Sequence, residues 1–458
     1  MPFNRILVAN RGEIAVRIIR ACRDAGIETV LAASQADRDS LAARMADRTV
    51  TIGGARPSDS YLRSEAVVHA ALATSCEAIH PGYGFLSEQR RLADLCAENK
   101  LVFIGPPPDV LELMGDKVAA REAALAAGLP VTQGGQAESA EDGIRIAAKI
   151  GYPVMLKASG GGGGRGIRVI HSGDELRQLF DIAATEASSA FGDGRLHIET
   201  YIQNARHVEI QVIGDCHGNV VDLGERDCSL QHNYQKIIEE TPCPVLSADK
   251  RAEICAAAVK LLKRNGYQGL GTVEFLYDAV SGRYYFLEVN PRIQVEHPIT
   301  EEVTRIDLVA EQISVASGAA LSFKRSDVRF SGHCIQLRVN AQSPKNGLRP
   351  APGRISDWVA PAGPGVRIDT HCTAGYLVPP YYDSLLAKLI VWGKDRDNAI
   401  RRARRALEEF VVAGSGLDTN ILLLKVLCAN RDFCEGQVTT QWLSKFLESA
   451  QWKESCGE

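Results

Sequence analysis

The chain has 458 residues, 45% of them hydrophobic and 24% charged, with a formal net charge of −4. That length calls for two or three domains, and the near-neutral balance, without a basic block interleaved with aromatics, gives no pull on nucleic acid. No apolar run is long enough to cross a bilayer, and the twelve cysteines show no Cys-x-x-Cys pair or zinc spacing, so reduced thiols and a cytoplasmic location are expected. The first strand, Ile6 to Ala9, starts too early to leave room for a signal peptide. The turn Asn10-Arg-Gly12 and an amphipathic helix from Glu13 to Ala25 follow it. Further strands are expected at Thr29–Ala33, around Ala78-Ile79 and at Val102–Gly105, which together predict a doubly wound parallel sheet. Beyond Pro106-Pro-Pro108 the pattern changes. Helices from Val110 to Gly128 lead into a small unit at about 130–203, then a larger, mostly antiparallel unit to about 330. From Gly332 strands mix with helices near Asp397–Val411 and Thr419–Leu427. The fold class expected is therefore α/β and α+β.

Two segments carry chemistry. The run Lys157-Ala-Ser-Gly-Gly-Gly-Gly-Gly-Arg-Gly166 lies between the apolar runs Tyr152–Leu156 and Ile167–Ile170. Strand, glycine loop and strand make a hairpin whose bare amides can approach an anion, with Lys157 and Arg165 beside them. It is neither a Walker loop nor a dinucleotide fingerprint, because no helix opens after the glycines. A plain flexible linker is the competing reading.

The second segment is Phe286-Leu-Glu-Val-Asn-Pro-Arg-Ile-Gln-Val-Glu-His-Pro298, with Phe286, Glu288 and Asn290 expected on one strand face. The strand before it, Gly271 to Tyr277, places Thr272, Glu274 and Leu276 on a common face. A hairpin symmetric about residue 281 sets Glu274 opposite Glu288. Facing carboxylates repel unless a cation lies between them, and oxygen ligands beside an Asn fit magnesium. Two solvated acids on an exposed face are the alternative.

These residues resemble the biotin carboxylase family of ATP-grasp enzymes over nearly the whole chain. The likeness is carried by Ile6-Leu-Val-Ala-Asn-Arg-Gly-Glu-Ile-Ala15, Ile79-His-Pro-Gly-Tyr-Gly-Phe-Leu-Ser-Glu88, Met114-Gly-Asp-Lys117 and the glycine loop. Glu225-Arg-Asp-Cys-Ser229, Glu288 to Pro298 and Pro379-Pro-Tyr-Tyr-Asp-Ser384 complete it. The resemblance implies an N-terminal α/β domain (1–115), an ATP-grasp domain (116–330, its lid about 130–203) and a C-terminal domain (331–447). It implies a ligase that carboxylates biotin from ATP and bicarbonate through carboxyphosphate, with magnesium or manganese.

Lys117, Lys157 and the glycines Gly162, Gly163, Gly164 and Gly166 would hold ATP, with His207 near the ribose. Glu199, Tyr201 and Ile202 would border the adenine, with Gln231 nearby. Glu274, Glu288 and Asn290 would bind the metal. Bicarbonate would lie between Lys236, Arg292 and Gln294 with the Val295 amide as a further donor, and Glu296 would be its general base. Arg338 would stabilise the biotin enolate, and Tyr83 would line the biotin pocket.

Three features depart from the family pattern. Gln231-His232-Asn233-Tyr234 precedes Lys236 without the usual arginine pair, Gln336, Gln342 and Ser343 replace acids around Arg338, and Pro364 stands where an aromatic often supports a homodimer. None of the four methionines precedes a lysine, so the chain carries no biotinylation sequence. The expected partners are therefore a separate biotin carboxyl carrier protein and a carboxyltransferase subunit, with a homodimer allowed. A ligase for another urea-like or guanidine-like nitrogen, and an ATP-binding regulatory subunit without turnover, are the rival readings.

Overall fold

Strand β1 (Arg5–Val8) opens the chain, and helix α1 (Gly12–Asp24) follows it. β2 (Glu28–Ser34), β3 (Arg48–Gly53), β4 (Ala78–His80) and β5 (Val102–Phe103) complete a parallel sheet of order β3-β2-β1-β4-β5. This computed structural model describes residues 3–158, 167–191 and 194–456. Strand order reverses between β1 and β4, so a crevice opens beyond their carboxyl ends. Asn10 closes its base, donating through Nδ2 to the carbonyls of Pro81 and Tyr83, each at 2.7 Å. Ile14, Ile18 and Ile19 of α1, at helical spacing, pack on one face of the sheet.

The helices expected over 110–128 are Pro108–Gly115 and Lys117–Ala126. Asp116 divides them, its carboxylate accepting the amides of Val118 and Ala119 as an N-cap. The small unit that follows is a four-stranded antiparallel sheet of β6 (Gly134–Ala137), β7 (Val154–Ala158), β8 (Arg168–Ile170) and β9 (Leu196–Thr200), in the order β6-β9-β7-β8. Two helices cover it, giving a small core of its own that includes Leu156, Leu176, Phe180 and Ile198. Gly162, Gly163, Gly164 and Gly166 lie outside the described residues.

The third sheet is the largest, with eight strands. β10 (Ala205–Gly214), β11 (Val220–His232), β12 (Gln235–Thr241), β13 (Gly269–Asp278), β14 (Arg283–Asn290), β15 (His333–Asn340), β16 (Val366–Thr370) and β17 (Leu385–Gly393) run in the order β14-β13-β10-β11-β12-β15-β17-β16. Three strands from beyond residue 330 thus extend a sheet begun before it, with β12 and β15 paired antiparallel through Ile238 and Leu337. Helix α2 (His297–Thr304) follows β14 after a short irregular stretch and packs on this sheet.

Candidate active site

The β13–β14 hairpin pairs Glu274 with Glu288, as the turn length predicts. Toward the turn the register slips, and Phe275 faces Phe286. Leu287 is the extra residue of a bulge, so the expected face shared by Phe286, Glu288 and Asn290 is broken. Phe286 turns into the core against Phe275, while Glu288 and Asn290 face the cleft.

On the other side of β13, Glu274 pairs with Glu209 of β10, which in turn pairs with Arg226 of β11. Four ionisable residues therefore form a row across four strands. Glu209 is a residue that sequence reasoning missed. The alternation His207, Glu209, Gln211 along β10 was its only local signal.

Cations balance the row. Arg226, fully buried, reaches Glu209, and it donates to Gln211 at 2.6 Å, Thr272 at 3.1 Å and Thr300 at 3.1 Å. Lys236 Nζ lies 2.6 Å from Glu209, 3.2 Å from Glu274 and 2.6 Å from Glu296. His207 Nε2 stands 2.9 Å from Glu274, off the hydrogen-bond direction. Burial alone would raise the Glu274 carboxyl, yet Lys236 and His207 hold it below the usual range. Glu288 is less well balanced. Burial and the Glu274 charge push it up, against Lys117, at 3.6 Å, and His207.

A cation between Glu274 and Glu288 would relieve that repulsion, so the pair fits a hard metal ion. Asn290 fits less directly, because its Oδ1 accepts from Arg292 at 3.0 Å and its amide donates to Glu274 at 2.9 Å. His207, Glu209 and Glu274 also converge closely enough to share an ion, but Lys236 and Arg226 already occupy their oxygens.

Glu296 is the N-cap residue of α2 and is fully buried. Lys236 holds one of its oxygens and Arg338 the other, at 2.9 Å. Burial would raise its carboxyl, but Lys236, Arg338 and Arg226 hold it well below the carboxylate range. Arg292 is not its partner. That guanidinium pairs with Glu88 and donates to Gln294 Oε1 at 3.1 Å. Gln294 Nε2 is buried and has no partner among the described residues. Arg338 is shared between Glu296 and Glu239, a second acid that the sequence did not single out.

His207, Lys236, Glu274, Glu288, Asn290, Arg292, Gln294, Glu296 and Arg338 line one cleft of about 1150 Å³. So do Lys117, Lys157, Glu199, Tyr201, Ile202, Gln231, Val295 and Tyr83, so every expected site residue that the structure describes lies on a single cavity. Lys157 pairs with Glu199, and Tyr83 donates to Glu13. Asn233 and Tyr234 turn β11 into β12 with φ of 48° and 64°, which sets Gln231 across from Lys236. His80 and His297 are both buried, and burial lowers both imidazoles. Tyr382 packs on Tyr61 and Phe85, two turn residues of the N-terminal part, and under Arg11.

Three family models cover most of the chain. "Biotin carboxylase, N-terminal domain" matches residues 2–111, "Carbamoyl-phosphate synthase L chain, ATP binding domain" 116–324 and "Biotin carboxylase C-terminal domain" 336–445. Biotin carboxylase of Nostoc sp. is 48% identical over 447 residues, covering 97% of this chain and 99% of that one. The chain belongs to the biotin carboxylase family.

Biotin carboxylase 1 of Bacillus subtilis is 49% identical, covering 96% and 98% of the two chains. The biotin carboxylase domain dimer of Hydrogenobacter thermophilus 2-oxoglutarate carboxylase, solved with MgADP, ADP and bicarbonate, superposes with a TM-score of 0.93 at 45% identity, covering 97% and 98%. Membership in this family makes the chain an ATP-dependent ligase of the biotin carboxylase type. No helix among the described residues is long and apolar enough to cross a membrane.

Proposed function

We propose that the chain carries out the first half-reaction of a multisubunit biotin-dependent carboxylase: ATP, bicarbonate and a biotinyl carrier give carboxybiotinyl carrier, ADP and phosphate. The observation that carries this is Glu296 clamped between Lys236 and Arg338 beside the orphaned amide of Gln294. A site that only bound ATP has no use for a buried base between two cations next to an unpaired donor.

Lys117 and Lys157 hold the phosphate oxygens of ATP, and the divalent metal, when bound at Glu274 and Glu288, neutralises their charge. Bicarbonate takes the place between Lys236, Arg292, Gln294 Nε2 and the Val295 amide. Its charge competes for Lys236, loosens the hold on Glu296 and returns basicity to that carboxylate. Glu296 takes the bicarbonate proton, and the resulting oxyanion attacks the γ-phosphorus. The bond to the ADP oxygen breaks as carboxyphosphate forms.

Carboxyphosphate then splits into CO₂ and phosphate. That phosphate takes the ureido N–H proton, and Arg338 stabilises the enolate that attacks CO₂. Tyr83, at the crevice of the N-terminal sheet, borders the biotin ring.

Relatives of similar identity belong to carboxylases of different acceptors. A pyruvate carboxylase component from Methanothermobacter thermautotrophicus is 46% identical, and the 2-oxoglutarate carboxylase domain 45%. The acceptor is accordingly a property of a carboxyltransferase partner, and the biotin is carried by a separate carrier protein. All twelve cysteines are free, which supports a reducing, cytoplasmic compartment.

The deciding experiment is ATP hydrolysis with Mg²⁺ and bicarbonate, with and without free biotin, beside Glu296→Ala. Biotin-stimulated, bicarbonate-dependent turnover that disappears in the variant supports the assignment. Hydrolysis indifferent to bicarbonate, even with carrier protein added, overturns it.

A further inference from the structure

We propose that Lys388, which touches none of the expected reactants, is a positioning residue that fixes the reacting edge of the cleft. The proposal rests on the biotin carboxylase reading above. Lys388 is the lone charge in the apolar run Leu385-Leu-Ala-Lys-Leu-Ile-Val on β17, and it is fully buried. An ammonium taken out of water is expensive to keep unless its contacts are strong.

Three groups surround it. Glu13 Oε2 of α1 lies at 2.8 Å as an ion pair off the hydrogen-bond direction, Asp369 Oδ2 at 3.8 Å, and the Val295 carbonyl accepts from it at 3.1 Å. Asp369 already has a guanidinium, since Arg367 grips both its oxygens at 2.9 and 2.8 Å. The two specific ties are therefore Glu13 and Val295.

Each tie leads to a reactant-binding group. The Val295 carbonyl and the Glu296 amide belong to one planar peptide unit. Holding that carbonyl fixes the plane from which the Glu296 side chain departs, and it anchors the residue whose own amide faces bicarbonate. On the other branch, Glu13 Oε1 accepts the Tyr83 hydroxyl. One ammonium thus couples the base, the bicarbonate donor and the biotin wall, drawn from three distant stretches of the chain. A lysine serving only to neutralise Glu13 would not need the carbonyl bond.

The test separates positioning from charge burial, using the full chain. Bicarbonate-dependent turnover of the parent is measured first, and its absence would defeat the underlying reading, not this proposal. Lys388→Met leaves the Glu13 charge stranded, whereas Glu13→Gln/Lys388→Met removes both charges together. The double variant is expected to recover the parent's melting temperature yet keep a kcat/KM for bicarbonate lowered about 10–100-fold, with the KM for ATP within about twofold. Lys388→Arg, which retains a donor and the charge, is expected to regain part of that loss. If the single variant is insoluble, the double variant and Lys388→Arg decide. A double variant with bicarbonate kcat/KM restored to about the parent value overturns the proposal. So do variants in which the KM values for ATP, bicarbonate and biotin all move together.

Discussion

Replacing Glu296 by Gln separates chemistry from architecture. The change keeps the side chain's shape and removes its charge and basicity. The structure shows why the fold should tolerate it: Lys236 keeps Glu209 and Glu274, and Arg338 keeps Glu239. No buried charge is orphaned, but the new amide nitrogen faces either Lys236 or Arg338, donor against donor. The penalty is that of one lost buried hydrogen bond, on the order of 1–3 kcal/mol, and not the ~3–5 kcal/mol of a broken buried pair. The kinetic effect is larger. A positioned general base contributes about 10²–10⁴-fold, or roughly 3–5 kcal/mol of barrier. The assay is bicarbonate-dependent ADP release by a coupled optical method, with ATP affinity by calorimetry and melting temperature by fluorescence. The expected result is kcat down by at least about 100-fold, an unchanged ATP dissociation constant and a melting shift of only a few degrees. A variant that keeps kcat to within about tenfold, or loses ATP affinity in step with rate, would refute the reasoning.

Three further outcomes are expected. Lys117→Met should raise the KM for ATP about tenfold while leaving the KM for bicarbonate alone, because its ammonium stands by Glu288 and away from Gln294; initial rates at fixed Mg²⁺ decide. Glu288→Gln relieves the repulsion with Glu274 and removes a metal ligand. Half-saturation by Mg²⁺ should then rise at least about tenfold in a metal titration, while thermal stability without metal should hold or improve. Acid stability follows from His80 and His371, whose imidazoles are lowered to about 3 by burial, with Arg17 and Arg11 respectively adding to the effect. Their folded values lie below the unfolded one, so the stability they lend is complete above about pH 6.5 and falls away as pH drops toward 3, reaching a loss of about 2 kcal/mol each by pH 5. Melting curves from pH 8 to 5 should show His371→Gln with a shallower decline than the parent, and equal slopes would contradict this.

Local sequence carried the parts of the site that lie close together along the chain. The pairing of Glu274 with Glu288 was legible because a short glycine-containing turn fixes the register of the two strands it joins. The Leu287 bulge was not, since Phe286 and Leu287 are both apolar and either could have faced inward. Glu209 completes the acidic row from a strand more than sixty residues earlier, and only the β10–β13 pairing reveals it. Glu239 was hidden for the same reason, because its guanidinium partner comes from β15. Lys388 could be seen as a charge in an apolar strand, but nothing in its neighbourhood pointed to Glu13 or Val295. The family resemblance supplied the roles of Arg292, Gln294 and Val295, which spacing alone could not assign.

The continuity of the eight-stranded sheet has a practical meaning for anyone dividing this protein. Cutting the chain at residue 330 would strip β15, β17 and β16 from the sheet and leave β12 with a bare row of amides and carbonyls. Such an edge invites pairing with another copy, so the fragment would be prone to clump instead of folding cleanly. It would also lose Arg338 from beside Lys236. The nucleotide half and the biotin half of the reaction are read most safely from the undivided chain.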